Sequence, residues 1–194
     1  LKSRCLLPVF YQCPALLILW FYQSSSKDHW AKNNEYDQKI RDLFLNDLEK
    51  AIRNEYDDWQ DDAKSSLALV ILLDQFSRNV YREDTRSYSQ DTKARLLVTE
   101  GVDRQYLDEL HLSERLFYLL PLVHSEDLQD HKYVSQLGEV FLKENPNYEN
   151  IKKSWGDHMV VIKKFGRYPH RNKILNRKST PEELEFLKGP NSSW

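Results

Sequence analysis

Residues 65–79 read SSLALVILLDQFSRN, and from Leu67 to Leu73 this stretch carries no polar side chain. A surface helix keeps one polar face, whereas a helix that is apolar on every side is surrounded by other elements. Asp62 and Ser65 precede the apolar run, and either side chain can cap the first turn of a helix. We therefore predict a buried central helix, around which the rest of the chain packs.

The composition favours helices throughout the chain. The 194 residues include only 5 Gly and 7 Pro, and the hydrophobic content of 40% excludes global disorder. Apolar residues recur at helical spacing over residues 34–56 and 148–165. Thr180, Pro181 and Glu183 form a start signal for a last helix. The prediction is an all-α protein of about eight helices in a single compact domain.

Several helix ends are also predicted by single residues. Gly101 is expected to stop a helix over residues 88–100, and Ser113 is expected to cap the helix that follows. Pro121 should kink or end that helix, because proline lacks the N–H that a helix interior requires. Ser125 is then expected to cap the next one.

The N-terminal region is the most hydrophobic part of the chain. Residues 5–22 are rich in apolar side chains, but two prolines and a glutamine interrupt them. A membrane span needs ~20 consecutive apolar residues, so we expect no membrane partner. We expect residues 1–14 to be an unplaced N-terminal segment and residues 15–194 to form the helical domain, with residues 15–22 as its first core helix.

Charge and cysteine content narrow the possible partners and the expected location of the protein. The net charge is −2, with 28 basic and 30 acidic residues spread along the chain, which argues against a nucleic-acid partner. A local basic run remains at residues 163–178. Cys5 and Cys13 are the two cysteines; they can pair locally, but they make no disulfide framework. A reducing, cytoplasmic location is therefore expected.

Residues 165–172, FGRYPHRN, carry an unusual number of polar side chains directly after a predicted helix. A turn needs the glycine, but it does not need two arginines, a histidine and an asparagine. Arg167 and Arg171 are fork-shaped donors suited to carboxylate or phosphate, and such groups also satisfy carbonyls at a helix C-terminus. Ligand binding and a structural role both remain open.

Two predicted helices contain charged or titratable side chains among apolar residues. Asp74 and Arg78 are four residues apart and share one face of the central helix. Since a buried charged pair requires further partners, it is either a structural ion pair or part of a site. His158 lies beside apolar residues, where a hydrogen-bonded core histidine is the usual explanation.

The segment HSEDLQDH at residues 124–131 has metal-ligating side chains. His124, Asp127 and His131 would share one stripe of a continuous helix and could hold Zn, Mn or Fe. A capping Ser125 would instead leave His124 outside the helix and explain the acids of the first turn without a metal. We expect no bound metal and no other cofactor.

The longest motifs resemble a known family. LALVILLDQFSRNVYR at 67–82, LPLVHSEDL at 120–128, FGRYPHRN at 165–172 and STPEELEFLKGPNSSW at 179–194 are similar, in this order, to the domain-of-unknown-function 924 family of bacteria and fungi. The similarity runs from about residue 15 to the end. It implies a tetratricopeptide-like α-α superhelix and no established activity. The motif residues carried over are Asp74, Gln75, Arg78, Asn79, His124, Ser125, Glu126, Asp127, His158, Arg167, His170, Arg171 and Asn172.

Four positions depart from that family's pattern. Ser77 stands where the family usually has Pro, Leu122 where an aromatic residue is usual, and Tyr22 where a Gly commonly follows the Trp-Phe pair. His131 stands where Gln is usual, which weakens the metal hypothesis because a family-wide site would not depend on it.

Three functions remain open from the sequence. The favoured hypothesis is a polar pocket formed by the central helix, the HSED segment (residues 124–127) and the FGRYPHRN segment. It would bind an anionic small molecule or a peptide carboxylate through Arg78, Arg167, Arg171 and His170. The first alternative is a hydrolase with His124 or His170 as general base beside Glu126 or Asp127, although no recognised catalytic motif decides that the chain is an enzyme. The second is a tetratricopeptide-like interaction scaffold in which the polar groups are a structural brace. The candidate site residues are Asp74, Arg78, His124, Glu126, Asp127, His158, Arg167, His170, Arg171 and Asn172.

Overall fold

The computed structural model describes residues 12–190 and 192–193, and every regular element in that part of the chain is helical. The α-helices are α1 Gln12–Ile18, α2 Ser26–Trp30, α3 Asn34–Ile52, α4 Ala63–Val70, α5 Ser77–Val80, α6 Asp91–Asp103, α7 Tyr106–Glu109, α8 Leu112–Val123, α9 Leu128–Phe141, α10 Tyr148–Phe165 and α11 Pro181–Phe186.

Two π-helical turns directly continue α-helices. Leu19–Gln23 extends α1, and Ile71–Phe76 links α4 to α5, so that residues 63–80 form one continuous helix. With each continuous run taken as one helix, the described residues contain ten helices. The all-α prediction is confirmed, with two helices more than the approximate number expected.

The central helix is residues 63–80, and it is buried as predicted. Asp62 caps it, because its Oδ1 accepts hydrogen bonds of 3.0 Å from the backbone N–H groups of Lys64 and Ser65. All residues from 66 to 77 are buried, and α1, α3, α6 and α8 pack around this helix. Helices on several sides explain why the sequence shows no polar face between Leu67 and Leu73.

The remaining helices complete one compact domain. A hydrophobic core extends from Leu16 on α1 to Trp155 on α10. α8 packs on α9, and α9 packs on α10. A second, small apolar cluster of Val161, Ile162 and Tyr168 lies where α10 ends and the FGRYPHRN segment begins.

Three predicted helix ends are wrong. α6 continues through Gly101 to Asp103, and α8 is capped at His111 rather than Ser113. The end expected at Pro121 differs from the observed one by two residues, because α8 passes through Pro121 and ends at Val123. Ser125 does not cap α9. Asp127 does, by accepting a 2.8 Å hydrogen bond from the backbone N–H of Gln129.

The N-terminal helix starts three residues before the expected boundary, at Gln12. Leu16, Leu19 and Trp20 are buried, as expected of a first core helix. Cys13 is a free, partly buried thiol, whereas Cys5 and the rest of residues 1–11 lie outside the described residues. In the described part of the chain, the helices are too short or too polar to cross a membrane.

Gly101 is needed for close packing and not for a turn. A Cβ atom at Gly101 would lie 1.9 Å from the hydroxyl oxygen of Tyr118 and 2.9 Å from a ring carbon of Tyr106. Tyr118 cannot easily move, since its hydroxyl lies 2.9 Å from Ser66 Oγ and donates to the carbonyl of Leu97 at 3.2 Å. We expect Gly101→Ala to lower the free energy of unfolding by ~1–3 kcal/mol, measured by urea denaturation.

Gly156→Ala is the matched control for this prediction. Gly156 also lies inside a helix, but a Cβ atom there would meet no atom within 4 Å. The control should be neutral or stabilising by ~0.5–1 kcal/mol, because alanine favours helix more than glycine. Equal effects of the two substitutions would contradict the packing explanation.

Candidate functional site

Five charged or titratable side chains from four parts of the chain meet beside the central helix. Asp74 and Arg78 lie on residues 63–80, Asp91 opens α6, His124 follows α8, and Arg171 lies in a 3-10 turn after α10. We call these five residues the polar cluster. Its members are separated by up to 97 positions in the sequence, so only the tertiary fold brings them together.

Asp74 and His124 form the first pair of the polar cluster. His124 Nδ1 lies 2.8 Å from Asp74 Oδ1, and Gln75 Nε2 donates to the other carboxylate oxygen. Although burial raises the pKa of the Asp74 carboxyl, the interactions with His124 and with the charge of Arg78 outweigh burial and lower the pKa to about 2. Asp74 is therefore an ionised carboxylate with no exposed surface.

Asp91 bridges the two arginines of the polar cluster. Its Oδ1 lies 2.8 Å from Arg78 Nη2, and its Oδ2 accepts a 3.1 Å hydrogen bond from Arg171 Nη1. The guanidinium carbons of both arginines lie over the ring of Tyr88, at 4.5 and 4.7 Å from its centroid. Arg171 also lies over the ring of Tyr168, at 4.5 Å. The Nε of Arg171 is buried and has no hydrogen-bond partner among the described residues.

The pKa shifts show that burial is unfavourable for this bridge. Burial raises the pKa of Asp91, although both arginines act to lower it. Burial also lowers the pKa of Arg171, and the charge of Arg78 lowers it further. Both shifts oppose the charged forms, as expected when desolvation exceeds the attraction between buried charges.

The Arg167–Glu183 pair shows the opposite behaviour. Arg167 donates two hydrogen bonds to the Glu183 carboxylate, at 2.6 and 2.9 Å. These bonds lower the pKa of Glu183 to about 2 and raise that of Arg167. Favourable electrostatics of this kind indicate a structural pair that holds α11 against the end of α10.

The HSED and FGRYPHRN segments are in direct contact. Glu126 accepts a 2.8 Å hydrogen bond from the backbone N–H of Tyr168, and Arg177 donates two more to it, at 2.6 and 2.9 Å. The hydroxyl of Tyr168 donates to the carbonyl of Val123 at 2.6 Å. These contacts place Arg171 beside the end of α8, where His124 lies.

The other histidines of this region are neutral groups around Tyr168. Burial lowers the pKa of His158 to about 4 and that of His170 to about 3, and it also lowers the pKa of His131. The ring of His158 lies 2.7 Å from the carbonyl of Ser154, as expected of a core histidine. His170 is therefore a neutral imidazole at physiological pH and cannot attract an anion by charge.

These buried histidines should make the fold sensitive to acid. The folded protein keeps His158 and His170 neutral down to about pH 4 and 3, whereas an unfolded chain protonates histidine near pH 6.5. The unfolded state then binds more protons, so stability falls as the pH falls from about 6.5 towards 4, by up to about 1.4 kcal/mol per pH unit for each histidine. Urea denaturation at several pH values should show this slope of the free energy of unfolding against pH. His158→Gln should reduce it, and an unchanged slope would contradict the explanation.

Six candidate residues are not members of the polar cluster: Glu126, Asp127, His158, Arg167, His170 and Asn172. Arg167 and Asn172 both contact Glu183, and Asn172 is almost fully buried. Asp127 is exposed and caps α9, so His124, Asp127 and His131 share no helical stripe. The described residues contain no group of side chains arranged to hold a metal ion. The carboxylate hydrogen-bonded to His124 belongs to Asp74 and not to Glu126 or Asp127.

Two surface depressions lie away from the polar cluster. The larger, of about 520 Å³, lies along α2 and the start of α3. The smaller, of about 320 Å³, lies between α3 and residues 79–83. Lys27, Lys32 and Asn34 are among the residues that line the larger depression, and Asn34, Arg41 and Arg82 are among those that line the smaller.

Comparison with known proteins gives a family but no activity. Residues 16–191 match the family described as "Bacterial protein of unknown function (DUF924)". A solved structure of a protein of unknown function from Agrobacterium tumefaciens is 31% identical in sequence and superposes with a TM-score of 0.85, over 94% of this chain and 100% of that one. No significant match was found among curated proteins. Because the family match covers most of the chain and agrees with the motifs at the polar cluster, the protein belongs to the DUF924 family.

Proposed function

We propose that the protein binds an anionic small molecule, or the carboxylate of a peptide, at the polar cluster. Arg78 and Arg171 hold the anionic group, and His124 lies at the edge of the same site. The supporting observation is the buried guanidinium of Arg171, whose Nε has no hydrogen-bond partner among the described residues. Buried unsatisfied donors are rare in proteins, and a bound acceptor is one explanation for such a group.

The charges of the polar cluster favour an added anion. Asp74 is committed to His124 at 2.8 Å and lies 3.8 Å from Arg78. Asp91 is therefore the carboxylate that contacts both guanidinium groups at short distance. An added anion would accept hydrogen bonds from the guanidinium groups, and it would offset the burial that disfavours the charged form of Arg171.

A ligand can reach this site only through the residues of the polar cluster that are partly exposed. The side chains of Arg78 and His124 are each 21% exposed, and that of Asp91 is 19% exposed, whereas Arg171 is 7% exposed. A ligand would therefore approach Arg78 and His124 first, with Arg171 behind them. Perturbed pKa values in such a partly open cluster are typical of functional sites.

A structural brace within an interaction scaffold is the second candidate. It is favoured by Asp91, which already pairs with both arginines, and by the aromatic rings that cover them. In that case the helices would form a tetratricopeptide-like α-α superhelix, and a peptide would lie in the polar depressions along α2 and α3. We also place the protein in the cytoplasm, which its two cysteines support.

Thermal melts with phosphate and succinate test anion binding. At constant ionic strength, either anion should raise the melting temperature of the wild-type protein by mass action, which gives ~2.7 kcal/mol at 100 times Kd. Arg171→Lys keeps the charge but loses the planar donor geometry, so its response should be much smaller.

Arg167→Lys is the matched control for this experiment. It changes the same side chain in the structural pair with Glu183, so it should lower stability without changing the response to anions. The brace would be supported, and the site rejected, if no anion stabilised the wild-type protein while Arg171→Lys was markedly less stable.

A further inference from the structure

We infer that Asp74 and His124 form a proton-transfer dyad that hydrolyses a carboxylic ester in a small molecule with an anionic group. This inference rests on the proposed function, because Arg78 and Arg171 would hold the anionic group. It adds a reaction and a substrate class to the binding site. His124 would be the catalytic residue, and Asp74 would be a positioning residue that acts through it.

Asp74 determines which nitrogen of His124 carries the proton. An ionised carboxylate only accepts hydrogen bonds, so the 2.8 Å contact requires Nδ1 of His124 to be the donor. In the neutral form of the ring this tautomer has its lone pair on Nε2, which is the arrangement of a general base oriented by a carboxylate. Asp74 is itself fixed on the central helix by burial and by Gln75.

The lone pair on Nε2 is open to a ligand. His124 is 21% exposed, and its Nε2 has no hydrogen-bond partner in the described part of the chain. Two neighbouring histidines differ in this respect, since rings of His131 and His158 lie against backbone carbonyls at 2.8 and 2.7 Å. A carboxylate partner, a free Nε2 and partial exposure are what a catalytic histidine requires.

The dyad adjoins the proposed anion site. Arg78 Nη2 lies 3.8 Å from the same Asp74 oxygen that contacts His124. An anionic group on the guanidinium of Arg78 would therefore lie beside the imidazole. An ester a few bonds away from that group can reach Nε2, which makes an anionic ester a better substrate than a neutral one.

Water is the expected nucleophile, because no hydroxyl or thiol of the described residues hydrogen-bonds to Nε2. Nε2 accepts a proton from water while the water oxygen bonds to the ester carbonyl carbon. The imidazolium that forms is stabilised by Asp74. When the tetrahedral intermediate collapses, the bond to the alcohol oxygen breaks and Nε2 returns its proton to that oxygen. The products are a carboxylic acid and an alcohol, and His124 regains its lone pair.

The test compares an anionic ester with a neutral one. The probes are mono(4-nitrophenyl) succinate and 4-nitrophenyl acetate, with released nitrophenol as the readout. The wild-type protein should prefer the succinate ester, and His124→Gln should lower kcat/KM for it by roughly 10²–10⁴-fold. Arg171→Lys should raise KM for the succinate ester alone, while Arg167→Lys should match the wild-type protein.

The role of Asp74 needs a readout that a structural residue would not change. The pH profile of the wild-type rate gives that readout, because a general base acts only when it is unprotonated. The charged or titratable groups around His124 are Asp74, Arg78, Asp91, His131 and His158. Asp74→Asn should lower kcat and alter this pH profile, and Asp74→Glu should partly restore both. Circular dichroism of each variant establishes that it is folded.

The outcomes separate this inference from the proposed function. If the wild-type protein binds succinate but hydrolyses the ester no faster than His124→Gln, the dyad is overturned and the binding site stands. If it neither binds succinate nor hydrolyses the ester, both are overturned. Turnover that depends on His124 and Asp74 and favours the anionic ester supports both.

Discussion

Leu72→Asp is expected to abolish folding of the whole domain. Leu72 has no exposed surface and lies in the π turn of the central helix, against which α3, α6 and α8 pack. A carboxylate there would have no partner, and an unpaired buried charge costs several kcal/mol, which is comparable to the total stability of a domain. Far-ultraviolet circular dichroism and urea denaturation should show an unfolded or aggregated protein at 25 °C.

Leu43→Asp is the control for this substitution. Leu43 lies on α3 with 54% of its surface exposed, so an aspartate there remains hydrated. The expected loss is below about 1 kcal/mol, mainly from helix propensity. A cooperative, native-like transition for Leu72→Asp would show that the central helix is not buried as described.

Asp91→Ala is expected to have the second-largest effect. It would leave Arg171 buried without its carboxylate and Arg78 without its closer one, and breaking a buried pair in this way costs ~3–5 kcal/mol. Glu185→Ala breaks an exposed pair with Lys188 and should cost less than about 0.5 kcal/mol. Urea denaturation of both variants gives the comparison.

A double variant separates the charge from other effects of Asp91. If the loss comes from an uncompensated guanidinium, Asp91→Ala with Arg171→Met should be more stable than Asp91→Ala alone. A double variant that loses the sum of the two single effects would mean that Asp91 acts through the N-terminus of α6 and not through the bridge.

Local patterns were sufficient to predict much of the fold. The uninterrupted run from Leu67 to Leu73 predicts a central helix, because no other position in an all-α domain tolerates it. Helix ends were harder, since they depend on contacts between distant residues. Gly101 resembles a stop signal but accommodates Tyr118, and of two possible caps, Ser125 and Asp127, the structure uses the second.

The sequence predicts which segments of the chain form the candidate site, but it does not predict which residues of these segments pair with each other. Contact between the HSED and FGRYPHRN segments was expected from their charges, whereas the partner of His124 was not, since Asp74 lies 50 residues away. Asp91 lies 80 residues from Arg171 and resembles an ordinary first-turn acid, so no local signal identifies it. Arg177 belongs to the basic run at residues 163–178, but its pairing with Glu126 has no local signal, because it follows Asn176, whose positive φ of 53° turns the chain.

Anomalous diffraction from crystals soaked in selenate would test the central claim most directly. Selenate resembles phosphate in shape and charge, and selenium can be located independently of the protein atoms. The binding site predicts a peak in contact with Arg78 or Arg171 beside His124, and a weaker peak or none there in crystals of Arg171→Lys. A well-ordered polar cluster without selenate, with peaks confined to exposed lysines, would contradict an anion-binding site and leave the cluster as a structural brace.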